Sequence, residues 1–193
     1  MKTNKHKPKI PKKQPTRTWL EKGKQVFITK IPQLKFVGLV IVFMALYYTI
    51  TGTDTFSNQL LPWYLHILAE ITGAMLSLFG FVVSVAGTMV SGSNFSMSVA
   101  YGCDGLEPTF LFVVVVAAFP SSWKKKMVGI LAGISILFCL NIIRLITLFL
   151  TGVYKREYFE LMHIEIWQAL FIICALLLFV LWVGIPERKP KAL

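Results

Sequence analysis

Three side chains with complementary chemistry stand on separate stretches of this 193-residue chain: Cys103, Arg144 and His163. A thiolate can attack a peptide carbonyl, an imidazole can transfer the protons, and a guanidinium can stabilise the oxyanion that develops. These are the groups that cysteine acyl transfer requires. The sequence therefore predicts a cysteine nucleophile with a histidine and an arginine beside it, provided that the fold brings the three together.

The surroundings of Cys103 are those of a tight turn before a helix. Asp104 is predicted to cap the following helix, and Gly105 permits a sharp turn of the backbone. The positive end of a helix dipole predicts a lowered pKa for the Cys103 thiol, whereas the neighbouring Asp104 carboxylate would oppose that shift. Taken alone, a cysteine beside glycines is more often a packing or turn residue.

Arg144 lies inside the apolar run Met127–Leu150. An arginine within a span costs about 2.5–3.5 kcal/mol on insertion scales, so we expect a local reason for it. It either snorkels to the outer headgroups or has a partner within the protein. Asn141, three residues earlier on the same helical face, favours a polar patch that points into the bundle. Cys139 and Cys174 lie in apolar runs and are predicted to be packing residues.

The composition identifies the class of protein. Hydrophobic residues make up 55% of the chain and charged residues only 15%, against about 45–50% and about 25% in soluble domains. These values exclude an ordinary soluble enzyme and a disordered chain. The three cysteines are too few for a secreted disulfide scaffold. The composition predicts a membrane protein.

The net charge of +11 is concentrated near the N-terminus, where 11 of the 20 basic residues lie within the first 35 and Glu21 is the single acid. We interpret residues 1–34 as a flexible cytoplasmic tail that binds anionic lipid and obeys the positive-inside rule, with nucleic-acid binding as the alternative. Residues 35–185 are predicted to form the membrane-embedded catalytic domain, and residues 186–193 a second basic cytoplasmic tail.

Four apolar runs come close to the roughly 20 residues that span a bilayer. They are Phe36–Thr51, Leu106–Phe119, Met127–Leu150 and Ile164–Val183. Basic clusters follow the second and fourth runs, so these ends and the N-terminus are predicted to be cytoplasmic. Residues 52–105 then cross the membrane an even number of times, most simply zero. This topology places Cys103, Arg144 and His163 at similar depth on the outer side.

Two further elements are predicted on that outer side. Small and polar residues repeat every three or four positions in Trp63–Val83, which favours a helix at the outer membrane surface, with a re-entrant path as the alternative. Residues 95–101 alternate as in a half-buried strand and continue a pattern at Thr88 and Val90, which predicts a small β-hairpin. The predicted fold is an all-α polytopic membrane protein with four transmembrane helices, this additional helix and the hairpin.

Several segments occur in an order that is specific when taken together. They are Gly102-Cys103-Asp104-Gly105-Leu106-Glu107, Ala118-Phe119-Pro120, Trp123, Leu140-Asn141-Ile142-Ile143-Arg144-Leu145, Phe159-Glu160, His163 and Trp167-Gln168-Ala169-Leu170. In these segments the chain resembles the exosortase/archaeosortase family, and among its branches it looks most like exosortase H. The resemblance covers about Leu60–Val183.

The resemblance implies roles for the three reactive residues: Cys103 as nucleophile, Arg144 as support for the transition state and His163 as general acid and base. It also implies a multi-pass enzyme of the bacterial cytoplasmic (inner) membrane, with a cytoplasmic N-terminus and an active site facing outside. Its partners would be exported proteins whose C-terminal tails carry a short motif, a transmembrane helix and a basic cluster. For the exosortase H branch, the motif is of the Ile-Pro-Thr-Leu and Trp-Gly type.

The resulting hypothesis is a membrane cysteine transpeptidase or protease that needs no cofactor, metal or nucleic acid. Asn141, Glu107 and Asp104 are predicted to support the site, with Asn141 and Glu107 orienting Arg144 or the substrate backbone. The alternative is a small membrane transporter or assembly factor whose buried Arg144 binds an anion. A third hypothesis is a nucleic-acid binder that uses the basic tail. The acceptor of the acyl group, whether water, an amine or an envelope component, is left open.

Overall fold

The first helix begins earlier in the chain than its apolar run predicts. In the computed structural model the described residues are 19–186, with side chains described from Ile31 onward. Helix α1 spans Trp19–Thr51 and includes Pro32. Its first half therefore lies within residues 1–34, for which the sequence predicts a cytoplasmic tail. Residues 1–18 and 187–193, the remainder of the predicted tails, lie outside the described residues.

The protein is mostly helical, and α1 is followed along the chain by four further α-helices. These are α2 (Leu61–Leu78), α3 (Leu106–Ala118), α4 (Trp123–Tyr154) and α5 (Trp167–Gly184). Within residues 19–186, three helical stretches are long and apolar enough to cross a bilayer: Ile31–Thr51, Trp123–Tyr154 and Leu161–Gly184. The 13 residues of α3 extend about 20 Å, less than the roughly 30 Å of a hydrocarbon core. The second predicted span is thus a shorter apolar helix.

Short non-α turns join some of these helices. A π-helical turn at Phe56–Leu60 precedes α2, and a 3₁₀ turn at Arg156–Tyr158 follows α4. A second π-helical segment, Leu161–Ile166, leads directly into α5. The last predicted span therefore starts with a wider turn of helix, and His163 lies within that turn.

The region of the predicted hairpin forms a three-stranded antiparallel sheet. Its strands β1 (Val83–Ala86), β2 (Met89–Gly92) and β3 (Ser96–Ser98) follow one another in the order β1-β2-β3. The additional strand β1 begins at Val83, the last residue of the predicted helical pattern Trp63–Val83. Helix α2 ends before them, and Gly80 adopts a φ of 87° that an L-residue rarely takes. The helix prediction was therefore wrong beyond Leu78.

Helix α4 is the centre of the packing within the unit that begins at Gly38. Helices α2, α3 and α5 contact it, and its glycines permit close approach. The ring of Phe112 on α3 occupies the space that a Cβ at Gly133 would need, and the indole of Trp182 on α5 does the same at Gly129. The fully buried large side chains of this core are Phe149, Leu68, Leu76, Leu137, Leu145, Leu148, Val90, Val99 and Val116.

Candidate active site

The loop that carries Cys103 is held by the side chain of Asp104. Its Oδ1 accepts a hydrogen bond from the backbone N–H of Leu106 at 2.8 Å, and its Oδ2 accepts one from Gly102 at 3.4 Å. The residue that precedes the first turn of α3 is Gly105, with φ of 72°, rather than Asp104. Asp104 still satisfies the first helical N–H, as a capping residue does.

The backbone carbonyl of Asp104 is bound from two helices. The hydroxyl of Tyr64 on α2 donates to it at 3.1 Å, and Nδ2 of Asn141 on α4 donates at 3.0 Å. Asp104 and Asn141 are only 3% and 1% exposed, so both hydrogen bonds lie away from solvent. The position of the cysteine loop is therefore fixed by α2 and α4 together.

The structure brings Cys103, Arg144 and His163 into one cluster. The sulfur of Cys103 lies 2.5 Å from Nε2 of His163, and Nη2 of Arg144 donates to the same sulfur at 3.8 Å. Arg144 also donates to the backbone carbonyl of Gly102 through Nη1 at 3.3 Å and to that of His163 through Nη2 at 3.3 Å. The guanidinium thus joins the cysteine loop to the segment that carries the histidine.

Arg144 is buried rather than directed to a membrane interface. It is 6% exposed, and its guanidinium carbon lies 5.8 Å from the centre of the Phe171 ring on α5, within range of a cation–π interaction. Its Nε has no hydrogen-bond acceptor among the described residues. The partner that the sequence predicts for Arg144 is therefore the backbone around Cys103 and His163.

The electrostatic environment of Cys103 differs from the prediction. Burial raises the pKa of the thiol, Arg144 lowers it by a smaller amount and Asp104 raises it further. The expected lowering by the helix dipole was therefore wrong, because Cys103 is only 7% exposed and desolvation disfavours the thiolate. Burial likewise raises the pKa of Asp104, and the N–H groups of Leu106 and Gly102 offset part of that rise.

Two cavities adjoin the cysteine loop. The first, which we call the β3 cavity, has a volume of about 380 Å³ and is lined by Ser96, Ser98, Tyr101, Cys103, Glu160 and His163 among others. The second, the interhelical cavity, measures about 350 Å³ and is lined by Tyr47, Tyr101, Asp104, Glu107, Arg144 and Gln168 among others. Among the described residues, Tyr101 alone lines both cavities. The reactive sulfur thus faces the β3 cavity, and Arg144 faces the interhelical cavity.

The predicted supporting residues contact other partners than expected. Glu107 accepts a hydrogen bond from the hydroxyl of Tyr48 on α1, and Asn141 binds the Asp104 carbonyl. No hydrogen bond joins either residue to Arg144 in the described part of the chain. The packing prediction is also wrong for Cys139, which is exposed on α4. Neither Cys139 nor Cys174 lines either cavity.

Sequence reasoning assigned no role to several residues that complete the site. Tyr64 holds the cysteine loop, Tyr101 lies between the cavities, and Arg156 and Glu160 line the β3 cavity. The position of Glu160, one helical turn before His163, was a usable signal for it. No group of three or more His, Cys, Asp or Glu side chains in the described range could hold a metal ion.

Comparison with known protein families assigns the chain to one of them. A family model described as transmembrane exosortase matches residues 23–180, more than half of the chain. The chain belongs to the transmembrane exosortase family. This confirms the resemblance seen in the sequence and extends it from Leu60 back into α1. Membership places the chain among membrane sorting transpeptidases. No curated protein and no solved structure matches it.

Proposed function

We propose that this chain is a membrane cysteine transpeptidase or protease that cleaves C-terminal sorting tails of exported proteins through a thioester on Cys103. The observation that supports this most directly is the contact of the Cys103 sulfur with Nε2 of His163, with Arg144 at 3.8 Å from the same sulfur. A nucleophile and a base within hydrogen-bond reach, oriented by a third group, are characteristic of an activated cysteine.

Attack begins with proton transfer from the Cys103 thiol to Nε2 of His163 while the sulfur bonds to the scissile carbonyl carbon. Because burial raises the pKa of this thiol, it is mainly protonated at neutral pH, and the histidine must act as the base during attack. Negative charge then develops on the carbonyl oxygen. Arg144, whose Nη2 lies 3.8 Å from the same sulfur, stabilises that charge.

The tetrahedral intermediate collapses when the scissile C–N bond breaks. The imidazolium of His163 gives its proton to the departing amine, so the tail leaves with a free amino group and the acyl group remains on Cys103 as a thioester. A second nucleophile (water, an amine or an envelope component) then transfers its proton to His163, attacks the thioester and releases the thiol. Since Cys103 is almost fully buried, restricted access of water favours transfer to another acceptor over hydrolysis.

The length of α4 supports an active site at the outer membrane face. Eighteen residues separate Lys126 from Arg144, a rise of about 27 Å in an α-helix and close to the thickness of a hydrocarbon core, about 30 Å. The cluster Lys124–Lys126 marks a cytoplasmic end by the positive-inside rule. We therefore propose four crossings in the bacterial cytoplasmic membrane, with α3 and its connection to α4 as the second crossing and the N-terminus in the cytoplasm.

The interhelical cavity supports the proposed type of substrate. It lies among residues of α1, α3 and α5 and adjoins Gly102 and Asp104, so a substrate's transmembrane tail docked between these helices would hold its cleavage motif at the cysteine loop. The alternative, an anion-binding transporter, is less well supported. The same cavity is lined by the side chains of Asp104 and Glu107 as well as Arg144, and carboxylates oppose the binding of an anion.

A reporter assay tests this proposal. An exported reporter that ends in an Ile-Pro-Thr-Leu motif, an apolar helix and a basic cluster is co-expressed with the protein and followed by immunoblot. The wild-type protein is expected to shorten the reporter, and Cys103→Ala to let the full-length form accumulate. Cys139→Ala is the matched control, since Cys139 lines neither cavity. Shortening of the reporter by the Cys103→Ala protein would refute the thioester mechanism.

Two substitutions separate the enzyme from the transporter hypothesis. Cys103→Ser and Arg144→Ala both abolish cleavage if the cluster is catalytic, because each removes a group that contacts the reacting atoms. A transporter with an anion-binding arginine would keep its function in Cys103→Ser and lose it in Arg144→Ala. Membrane abundance of each variant, measured by immunoblot, controls for folding.

A further inference from the structure

Within residues 19–186, strand β3 has one free edge. It is last in the order β1-β2-β3, and in this range its one partner strand is β2. The N–H of Gly92 donates to the carbonyl of Phe95 at 2.8 Å, and the N–H of Val99 donates to the carbonyl of Thr88 at 2.8 Å. Because hydrogen-bonded pairs alternate in an antiparallel ladder, the backbone groups of the two intervening serines of β3 point away from β2.

This free edge leads to the reactive sulfur. Ser96, Ser98, Ala100 and Cys103 all line the β3 cavity, so the edge forms one wall of the space into which the thiol faces. Ser96 and Ser98 are exposed, whereas Met97 between them is packed against the core. The opposite wall comes from the segment after α4, which includes Phe159, Glu160 and His163. A row of free N–H and C=O groups beside a cavity is suited to binding another strand.

We propose that the substrate segment preceding the scissile bond binds as a fourth strand, added to β3 in parallel orientation. This inference rests on the proposed function. Strand β3 runs towards Cys103, and the substrate chain must also run towards Cys103 before its remaining residues enter the membrane, so the two strands point the same way. Main-chain hydrogen bonds to Ser96 and Ser98 provide affinity, and alternate substrate side chains provide specificity, as in other cases of strand addition.

Disulfide cross-linking tests the strand directly. The protein carries Cys103→Ala, Cys139→Ala and Cys174→Ala, so that Ser98→Cys is its single thiol, and one cysteine is moved along the residues that precede the scissile bond of the reporter. Cross-links are expected at alternate reporter positions, because side chains of neighbouring strands meet only on the same face of a sheet. Ser84→Cys, exposed on β1 at the other edge of the sheet, is the matched control and is expected to form none.

Cross-links at consecutive positions, or none at Ser98→Cys, would overturn strand addition. The two proposals fail separately. If the wild-type protein shortens the reporter and Cys103→Ala does not, the proposed function stands whatever the cross-linking pattern. If Cys103→Ala still shortens the reporter, the proposed function fails.

A proline variant gives a kinetic test. Ser98→Pro removes an N–H that β2 does not use, and proline is tolerated on edge strands. Loss of one main-chain hydrogen bond to the substrate is expected to lower kcat/KM by about threefold to tenfold, mainly through KM. An unchanged kcat/KM would contradict strand addition. Circular dichroism compares the fold of the variant with that of the wild-type protein.

Discussion

Gly105 offers a sharp test of how the cysteine loop is positioned. Its φ of 72° lies in the left-handed region, where a side chain costs about 1–2 kcal/mol. A Cβ there would also lie 3.0 Å from Cγ and 3.2 Å from Oδ1 of Asn141. Gly105→Ala must therefore displace Asn141 and weaken its hydrogen bond to the Asp104 carbonyl, which contributes about 1 kcal/mol. The expected loss of unfolding free energy is about 2–3 kcal/mol.

Gly87→Ala is the matched control. Gly87 has a φ of 61° in the turn between β1 and β2, and a Cβ there would meet no atom within 4 Å. Gly87→Ala should lower the free energy of unfolding only by the cost of the left-handed backbone, about 1–2 kcal/mol. Its rate of reporter cleavage should be close to that of the wild-type protein. Gly105→Ala should cleave the reporter about a hundredfold more slowly, because small displacements of a nucleophile carry that cost.

The measurements are denaturation in detergent, followed by tryptophan fluorescence, and initial rates of reporter cleavage. On an Asn141→Ala background, Gly105→Ala should lower the free energy of unfolding by less than it does beside Asn141, since the amide is gone and only the Cβ of residue 141 remains, 3.2 Å from the new Cβ. Equal losses of stability and of rate in Gly105→Ala and Gly87→Ala would refute the reasoning. It would mean that contact with Asn141 does not position the loop.

Two further predictions follow from the site and the packing. Because burial raises the pKa of Cys103, its alkylation by iodoacetamide should reach half its maximal rate at a pH above the pKa of an ordinary cysteine, about 8.5. Arg144→Gln should raise that midpoint pH, and Asp104→Asn should lower it. Identical midpoints in the three proteins would contradict the assigned causes of the pKa shift. Gly133→Ala should lower stability by about 1–3 kcal/mol, because the ring of Phe112 fills the space for a Cβ. Phe112→Leu should recover part of that loss in thermal denaturation, and no recovery would show that the ring is not the obstacle.

The meeting of Cys103, Arg144 and His163 could be predicted because the predicted topology assigns all three residues a similar depth. Basic clusters orient the apolar runs, and the cost of burying an arginine predicts a partner for Arg144. Three residues on different segments at one depth need only ordinary helix packing to come into contact. Their contact is therefore a consequence of topology that local sequence already carries.

The pKa of the Cys103 thiol could not be predicted in the same way. The helix dipole is a local effect, whereas burial depends on Tyr64 and Asn141 closing over the loop from two other helices. Strand β1 could not be predicted for a related reason. The apolar run through Val83 continues a helical pattern, whereas Val85 occupies the space beside Gly73 on α2, a tertiary contact that local periodicity does not carry.

The π-helical segment Leu161–Ile166 makes the chemistry sensitive to chain length as well as to residue identity. A π turn holds one residue more than an α turn and is typically found at functional sites. Deleting Ile164 would leave a regular α-helix in place of the wider turn, which changes the direction of the His163 side chain about the axis of α5. The imidazole would then point away from the sulfur although all three side chains remain, so the proposed mechanism requires the wider turn as well as the three residues.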